Sequence, residues 1–161
     1  MKQTRILLIE DEVSVVETIQ LMLDEHCNKK ECFIDSALNF LQAMDYLDTN
    51  DYNIIVTDLQ MPGKGLEDHR NHVNGTILNG WTFLYFYILE EGKYANRCKN
   101  TKIIIFSEFL DELDKRFKAY PNELSQSFKD RVIRVSKGGM HSGEGGTVKL
   151  CRMIEGLIKN E

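Results

Sequence analysis

The sequence predicts an α/β domain built on a parallel sheet with helices on both faces. Three observations carry this expectation. Five short apolar runs recur along the chain, and each is followed by a segment with helical spacing. The runs are continuously apolar instead of alternating, apart from Lys102 opening the fourth and Arg134 within the fifth, as befits strands buried on both faces. At 161 residues the chain fits one compact domain. Residues 1–161 contain no internal repeat, low-complexity tract or linker, and are read as a single unit.

The first run, residues 6–9, is too short for a helix and stops at Glu10, Asp11 and Glu12. Val13, Val16, Ile19, Leu21, Met22 and Leu23 then repeat at helical spacing, predicting a helix over 13–24. Residues 32–34 form the second strand candidate. Asp35 and Ser36 are read as N-caps of a helix carrying Ala37, Leu38, Leu41, Met44 and Leu47. Residues 54–56 make the third strand, which ends at Thr57 and Asp58. Residues 62–79, rich in Gly, Asn, His and charge, read as an extended loop. From Gly80 an apolar third helix runs through Trp81, Phe83, Leu84, Phe86, Tyr87, Ile88 and Leu89. Residues 102–106 form the fourth strand, closed by Ser107 and Glu108. A helix over 110–119 stops before Pro121, and a further helical turn precedes Arg131. Residues 132–135 form the fifth strand, ending in Ser136, Lys137, Gly138 and Gly139. The last helix places Val148, Leu150, Cys151, Ile154, Leu157 and Ile158 on its apolar stripe.

Composition narrows the function classes. Hydrophobic residues make up 42% and charged residues 28%, an ordinary globular balance with enough apolar surface for a core without staples. The net charge of −5 argues against DNA or an anionic membrane as a direct partner. Cys27, Cys32, Cys98 and Cys151 form no CxxC pair and read as reduced, packed thiols. No signal-peptide pattern opens the sequence, and no run approaches the ~20 apolar residues of a membrane span. The expected compartment is the cytoplasm.

The polar residues fall in a pattern. Parallel open sheets bind ligands beyond the carboxyl ends of their strands, where strand order reverses. Strand one ends in Glu10 and Asp11, strand three in Asp58, strand four in Ser107 and strand five in Lys137. These side chains are expected on one rim. Three crowded carboxylates call for a hard cation such as magnesium, which takes oxygen ligands and keeps several waters. Each piece has a plain reading alone: helix-start acids, a turn aspartate, a loop lysine. Together they suit phosphoryl transfer to the Asp58 carboxylate, with charge neutralised by a metal on one side and Lys137 on the other.

The stretches 6–13 (ILLIEDEV), 54–63 (IIVTDLQMPG), 103–107 (IIIFS) and 135–138 (VSKG) resemble the receiver domains of two-component response regulators. The resemblance implies a flavodoxin-like (βα)5 three-layer sandwich with strand order 2-1-3-4-5. It implies Asp58 as phosphoacceptor, and Asp11, Asp58 and the Gln60 carbonyl as magnesium ligands, with Glu10 acting through a metal-bound water. Lys137 would contact the phosphoryl group and Ser107 would swing to donate to it, repacking the face of helix four, strand five and helix five. The implied function is a single-domain response regulator. It would accept phosphoryl from a histidine kinase or histidine phosphotransfer protein and signal to an output protein. It would be a self-phosphorylating phosphoacceptor and not a turnover enzyme.

Four features depart from the family. Gly138 follows Lys137 where proline is usual, leaving the bond open between cis, which costs about 3 kcal/mol without proline, and trans. Glu108 follows Ser107 where a small residue is usual. Arg134 stands where an aromatic reports the switch. Residues 62–79 and the step from Ser107 to Lys137 are longer than the norm. The long loop carries Glu67, Asp68, His69 and His72; lacking third and fourth ligands at useful spacing, it reads as solvated, and as a lid or docking surface beside Asp58. Two alternatives stand beside the receiver reading. A degenerate receiver-like scaffold would signal without phosphorylation. A phospho-aspartyl hydrolase would want an aspartate two places after its nucleophile, where Gln60 stands.

Overall fold

The computed structural model describes residues 3–26, 32–72, 75, 77–138 and 145–159. Cys27, Gly139 and the side chain of His72 lie outside the described residues. Five strands, β1 (Thr4–Ile9), β2 (Cys32–Ala37), β3 (Ile54–Thr57), β4 (Lys102–Ser107) and β5 (Val132–Ser136), form one sheet. Its order is β2-β1-β3-β4-β5 and every pairing is parallel. This is the expected α/β sandwich with order 2-1-3-4-5.

The continuous apolar runs work by alternation between two cores. Leu7, Ile9, Ile55, Ile103 and Ile105 point to one face, where they meet α2 (Phe40–Thr49), α3 (Asn79–Phe83), α4 (Leu110–Ala119) and α5 (Gln126–Arg131). Ile6, Leu8, Ile54, Val56, Ile104 and Phe106 point to the other, against α1 (Val13–His26) and α6 (Gly146–Lys159). Val16, Ile19 and Leu23 of α1 and Leu150, Cys151 and Ile154 of α6 close that second layer. Both faces being covered is why no strand needed a polar face.

Two local expectations are corrected and one is refined. Asp35 and Ser36 are not helix caps; they are strand residues of β2, and Asn39 is the N-cap, its Oδ1 accepting from the Gln42 N–H at 3.0 Å. Asp35 is used instead by Arg5, at 3.0 Å, and by the Tyr52 hydroxyl, at 2.7 Å. Leu38 and Leu41 consequently lie exposed, outside the core. Asn39→Ala is expected to cost about 1 kcal/mol, a fall of roughly 2–4 °C in Tm, measurable by thermal denaturation.

The third helix runs nearly as far as its apolar pattern, to Ile88, but changes type along the way. After α3 the chain relaxes into a π-helical turn, Leu84–Ile88, closed by the Leu89 N–H bonding the Leu84 carbonyl at 2.8 Å. Glu90 then turns the chain at φ 49, and the Tyr94 N–H returns to the Tyr87 carbonyl at 2.7 Å. The wider turn lets consecutive aromatics share one core: Phe83 stacks on Phe40 and Tyr87, and Trp81 meets Phe117 and Phe128 edge-on.

The described part of the segment at 62–79 makes more contacts than its composition suggests. Leu66 is buried, residues Glu67–His72 form 3-10 turns broken at His69, and the His69 ring stacks on Phe86 with centroids 4.0 Å apart. Gly65, at φ +99, lies so close to the start of α2 that a Cβ would fall 2.6 Å from the Leu41 nitrogen. Of the cysteines, Cys32, Cys98 and Cys151 are buried, and burial pushes the Cys151 thiol up to about 11. Packed thiols are what the sequence led us to expect at these three positions.

Candidate functional site

The sheet register places the polar residues. Ile9 pairs with Thr57 and Ser107 with Ser136, so the residues just beyond β1, β3 and β5 emerge side by side. Backbone bonds continue the ladder past the strand ends: Glu10 N–H to the Ala37 carbonyl, Asp58 N–H to Ile9, and Lys137 N–H to Ser107. The rim is therefore fixed by the sheet itself, at the reversal of strand order between β1–β2 and β1–β3.

Lys137 sits at the centre of the cluster. Its Nζ donates to Glu10 Oε2 and to Asp58 Oδ2, both at 2.6 Å. Glu10 is 2% exposed, so its charge is tolerable only with such a partner. Its other oxygen accepts from the Glu12 N–H at 3.2 Å. Asp58 Oδ1 accepts from the Gln60 N–H at 3.2 Å, which fixes the carboxylate plane. Burial pushes the Glu10 carboxyl above its ordinary value despite the ammonium beside it. For Lys137 burial acts downward, but the hydrogen bonds to Asp58 and Glu10 outweigh it and hold the amine above the usual lysine value.

Glu10, Asp11 and Asp58 each offer a carboxylate oxygen within 4.8 Å of the others, close enough to share one ion. With all groups ionised, three carboxylates and one ammonium leave −3 + 1 = −2, the charge a divalent ion balances. An all-oxygen donor set suits magnesium. Asp11 is exposed, lines the cavity and forms no hydrogen bond or ion pair with another described residue. The residues present fit the ion.

The cavity in front of Asp58 has a volume of about 600 Å³ and is lined by Glu10, Asp11, Glu12, Asp58, Gln60, Met61, Pro62, Glu108, Phe109 and Lys137. Ser107 ends β4 at the rim but does not line the cavity. It is fully buried, and its Oγ accepts from the Phe109 N–H at 3.2 Å, at the start of α4. Arg134 pairs with Asp114 of α4. The Lys137–Gly138 bond is trans, as are all described peptide bonds.

Two residues escaped the sequence reading. Asn79, 1% exposed, donates from Nδ2 to the Met61 carbonyl at 2.7 Å. The Gly80 N–H bonds the Leu59 carbonyl at 2.9 Å, and a Cβ on Gly80 would fall 1.8 Å from the Asp58 carbonyl oxygen. Together they clamp the Asp58–Met61 turn from behind. The Asn-Gly pair at the loop's end was the available signal, but it reads equally as ordinary turn chemistry.

No family model matches the chain, and no curated protein matches it in sequence. Solved structures match along its length. The receiver domain of the Francisella response regulator 1452 is 18% identical, covers 98% of both chains and has a TM-score of 0.57. The response regulator TrrA from Thermotoga maritima, solved in complex with Mg(2+)-BeF, is 17% identical over 96% of this chain and 99% of its own, with a TM-score of 0.55. A chain from the complex of the P1 domain of CheA3 with CheY6 from R. sphaeroides is 16% identical over 99% of both, at a TM-score of 0.54. Strand order, all-parallel pairing and these full-length matches give the chain the fold of response-regulator receiver domains.

Proposed function

We propose that this chain is a phosphorelay receiver: Asp58 accepts a phosphoryl group in a magnesium-dependent reaction, and the modified rim alters a protein-binding face. The observation that carries the reading is the Lys137 ammonium bound at 2.6 Å to both Glu10 and Asp58, beside a third carboxylate close enough to share an ion. The similar fold of TrrA, solved with Mg(2+)-BeF, supports the cofactor, and the CheA3–CheY6 complex supports a histidine kinase or phosphotransfer partner.

Magnesium held by Asp11 and Asp58, with the Gln60 carbonyl and with Glu10 through water, would neutralise charge on the phosphoryl oxygens. The rest falls to the protein. Gln60 N–H and Lys137 hold the Asp58 carboxylate in one orientation, ready for in-line attack on phosphorus. On phosphorylation the Lys137 ammonium, already placed, moves its hydrogen bond from Asp58 Oδ2 to the new phosphoryl oxygens. Turning the Ser107 hydroxyl to donate to the same group would give up the Phe109 N–H that its Oγ now accepts, which couples the site to the first turn of α4.

Two measurements address chemistry and cofactor. The phosphorylated protein is expected to lose its phosphoryl group to neutral hydroxylamine, because an acyl phosphate is cleaved by that amine; a stable adduct would place the phosphate on a hydroxyl such as Ser107 and refute the assignment. Magnesium at about 100 Kd is expected to stabilise the fold by roughly 2.7 kcal/mol. Its effect on Tm should be larger at pH 8 than at pH 5. The raised pKa of Glu10 means that its ionised form weakens the metal-free fold as pH climbs above the ordinary carboxylate value, and a cation relieves that cost. Asp11→Asn should remove most of the effect.

A further inference from the structure

The helix α4 is fastened at both ends, and both fastenings lead back to the Asp58 rim. At its start the Phe109 N–H is held by Ser107 Oγ. In its last turn Arg116 donates from Nε and Nη2 to the two oxygens of Glu123, at 2.9 and 2.7 Å. Glu123 lies on a 3-10 turn, Pro121–Glu123, within the long step between β4 and β5. Its Oε2 also accepts from the Trp81 indole N–H at 3.0 Å. Trp81 is buried and follows Gly80, the residue seated against the Asp58 carbonyl. One carboxylate therefore ties the end of α4 to the helix that backs the Asp58 turn.

The tie is shielded from water. The Arg116 and Glu123 side chains are 22% and 15% exposed, whereas both partners of Arg134–Asp114 and of Lys115–Glu112, on the same helix, are at least 40% exposed. Exposed pairs contribute little to stability. A two-point, charge-assisted fork held out of solvent contributes more. The Arg116 guanidinium lies 4.3 Å from the Tyr120 ring centroid, which fixes its plane. Trp81 meets Phe117 of α4 and Phe128 of α5 edge-on, so the segment after α4 packs on the same indole that Glu123 holds.

Resting on the reading of Asp58 as phosphoacceptor, we propose that Glu123 is a latch: it holds the last turn of α4 against α3 in the resting chain, so that segment 121–131 sets how readily a modified rim displaces α4. Turning Ser107 toward a group on Asp58 loosens the first turn of α4 and leaves the last turn pinned. The resting arrangement thus carries contacts that a displaced α4 must give up. A group on Asp58 that favours the displaced arrangement binds less tightly by the factor the latch contributes.

The test uses beryllium fluoride with magnesium, which forms a tetrahedral stand-in for a phosphoryl group on a carboxylate. Its affinity is measured by calorimetry on the full chain for wild type, Glu123→Gln, Arg116→Gln, the double variant and Glu112→Gln. Glu123→Gln and Arg116→Gln should each bind the probe about fivefold more tightly, at the lower end of allosteric couplings. The double variant should bind no more tightly than either, because both substitutions break one interaction. The two change the net charge in opposite directions, so an electrostatic effect on the rim would move them apart, while a latch moves them together. Glu112→Gln, which removes an exposed pair of the same helix, should bind as wild type does. A brace that only stabilises the fold would lower Tm in the two variants and leave their affinity unchanged; that result overturns the proposal. Weaker binding in both, or opposite shifts, overturns it too. Where Glu123→Gln does not fold, Arg116→Lys, which keeps the charge and breaks the fork, should still tighten binding, and an unchanged affinity there counts against the latch. If wild type binds the probe and these patterns fail, only the latch falls. If none of the proteins binds it, the reading of Asp58 falls and the latch with it.

Discussion

Lys137→Ala is expected to slow phosphorylation of Asp58 by about 10²–10³-fold, the cost of removing a preorganised donor to developing charge, while tightening magnesium binding. The two effects move in opposite directions for one reason. The ammonium lies 2.6 Å from an oxygen of both Glu10 and Asp58 and competes with a divalent ion for the same negative charge. Without it the cluster goes from −2 to −3, so the ion binds more strongly, yet the incoming phosphoryl group loses its fixed donor. The metal-free variant should also melt earlier, because Glu10 keeps a buried charge without its partner. Added magnesium should restore much of that loss. Kinetics by intact mass, calorimetric titration and thermal denaturation with and without the ion check the three parts. A variant that binds magnesium more weakly and reacts slowly would mean that Lys137 supports the structure of the site and not the chemistry.

Gly80→Ala should be nearly as damaging although the residue touches no ligand. Its Cβ position is 1.8 Å from the Asp58 carbonyl oxygen and 2.8 Å from the Asp58 carbonyl carbon, both backbone atoms that cannot rotate aside. Either α3 moves back or the Asp58 turn moves forward. Overpacking of this kind costs about 1–3 kcal/mol, and a displacement near 1 Å at a reacting group costs about 10² in rate. We therefore expect a fall of several degrees in Tm together with a rate loss near a hundredfold that persists well below the new Tm. Asn79→Ala, which removes only the bond to the Met61 carbonyl, should give a smaller change of the same kind. A Gly80→Ala protein with normal kinetics at low temperature would show that α3 yields and that the turn is set by β3 alone.

The fold was legible where hydrophobicity alone decides structure. The buried strands, α1, α4 and the last helix follow from apolar runs and spacing, and the rim followed from which residues end each strand. What was not legible depended on tertiary competition. Asp35 and Ser36 have cap chemistry, yet the pairing of β2 with β1 extends through Ala37 and leaves the cap to Asn39. The aromatic run after Gly80 shows its helix, but not the change to a π turn at Leu84–Ile88 that lets Phe83 and Tyr87 share one core. His69 gives no sign in sequence of its seat on Phe86, which takes the segment at 62–79 out of the purely solvated class. Ser107 ends β4 as expected, but its side chain does not join the others in the cavity, because its hydroxyl is turned to the Phe109 N–H, a contact no spacing encodes. Gly80 was invisible as a site residue because its role is the absence of a side chain.

The most direct measurement is the intact mass of the protein after incubation with phosphoramidate, in magnesium and in chelator, for wild type and Asp58→Ala. A gain of one phosphoryl group in wild type with magnesium, absent in chelator and absent in the variant, is the expected result. An unmodified wild-type protein, or an equal gain in Asp58→Ala, would contradict the account.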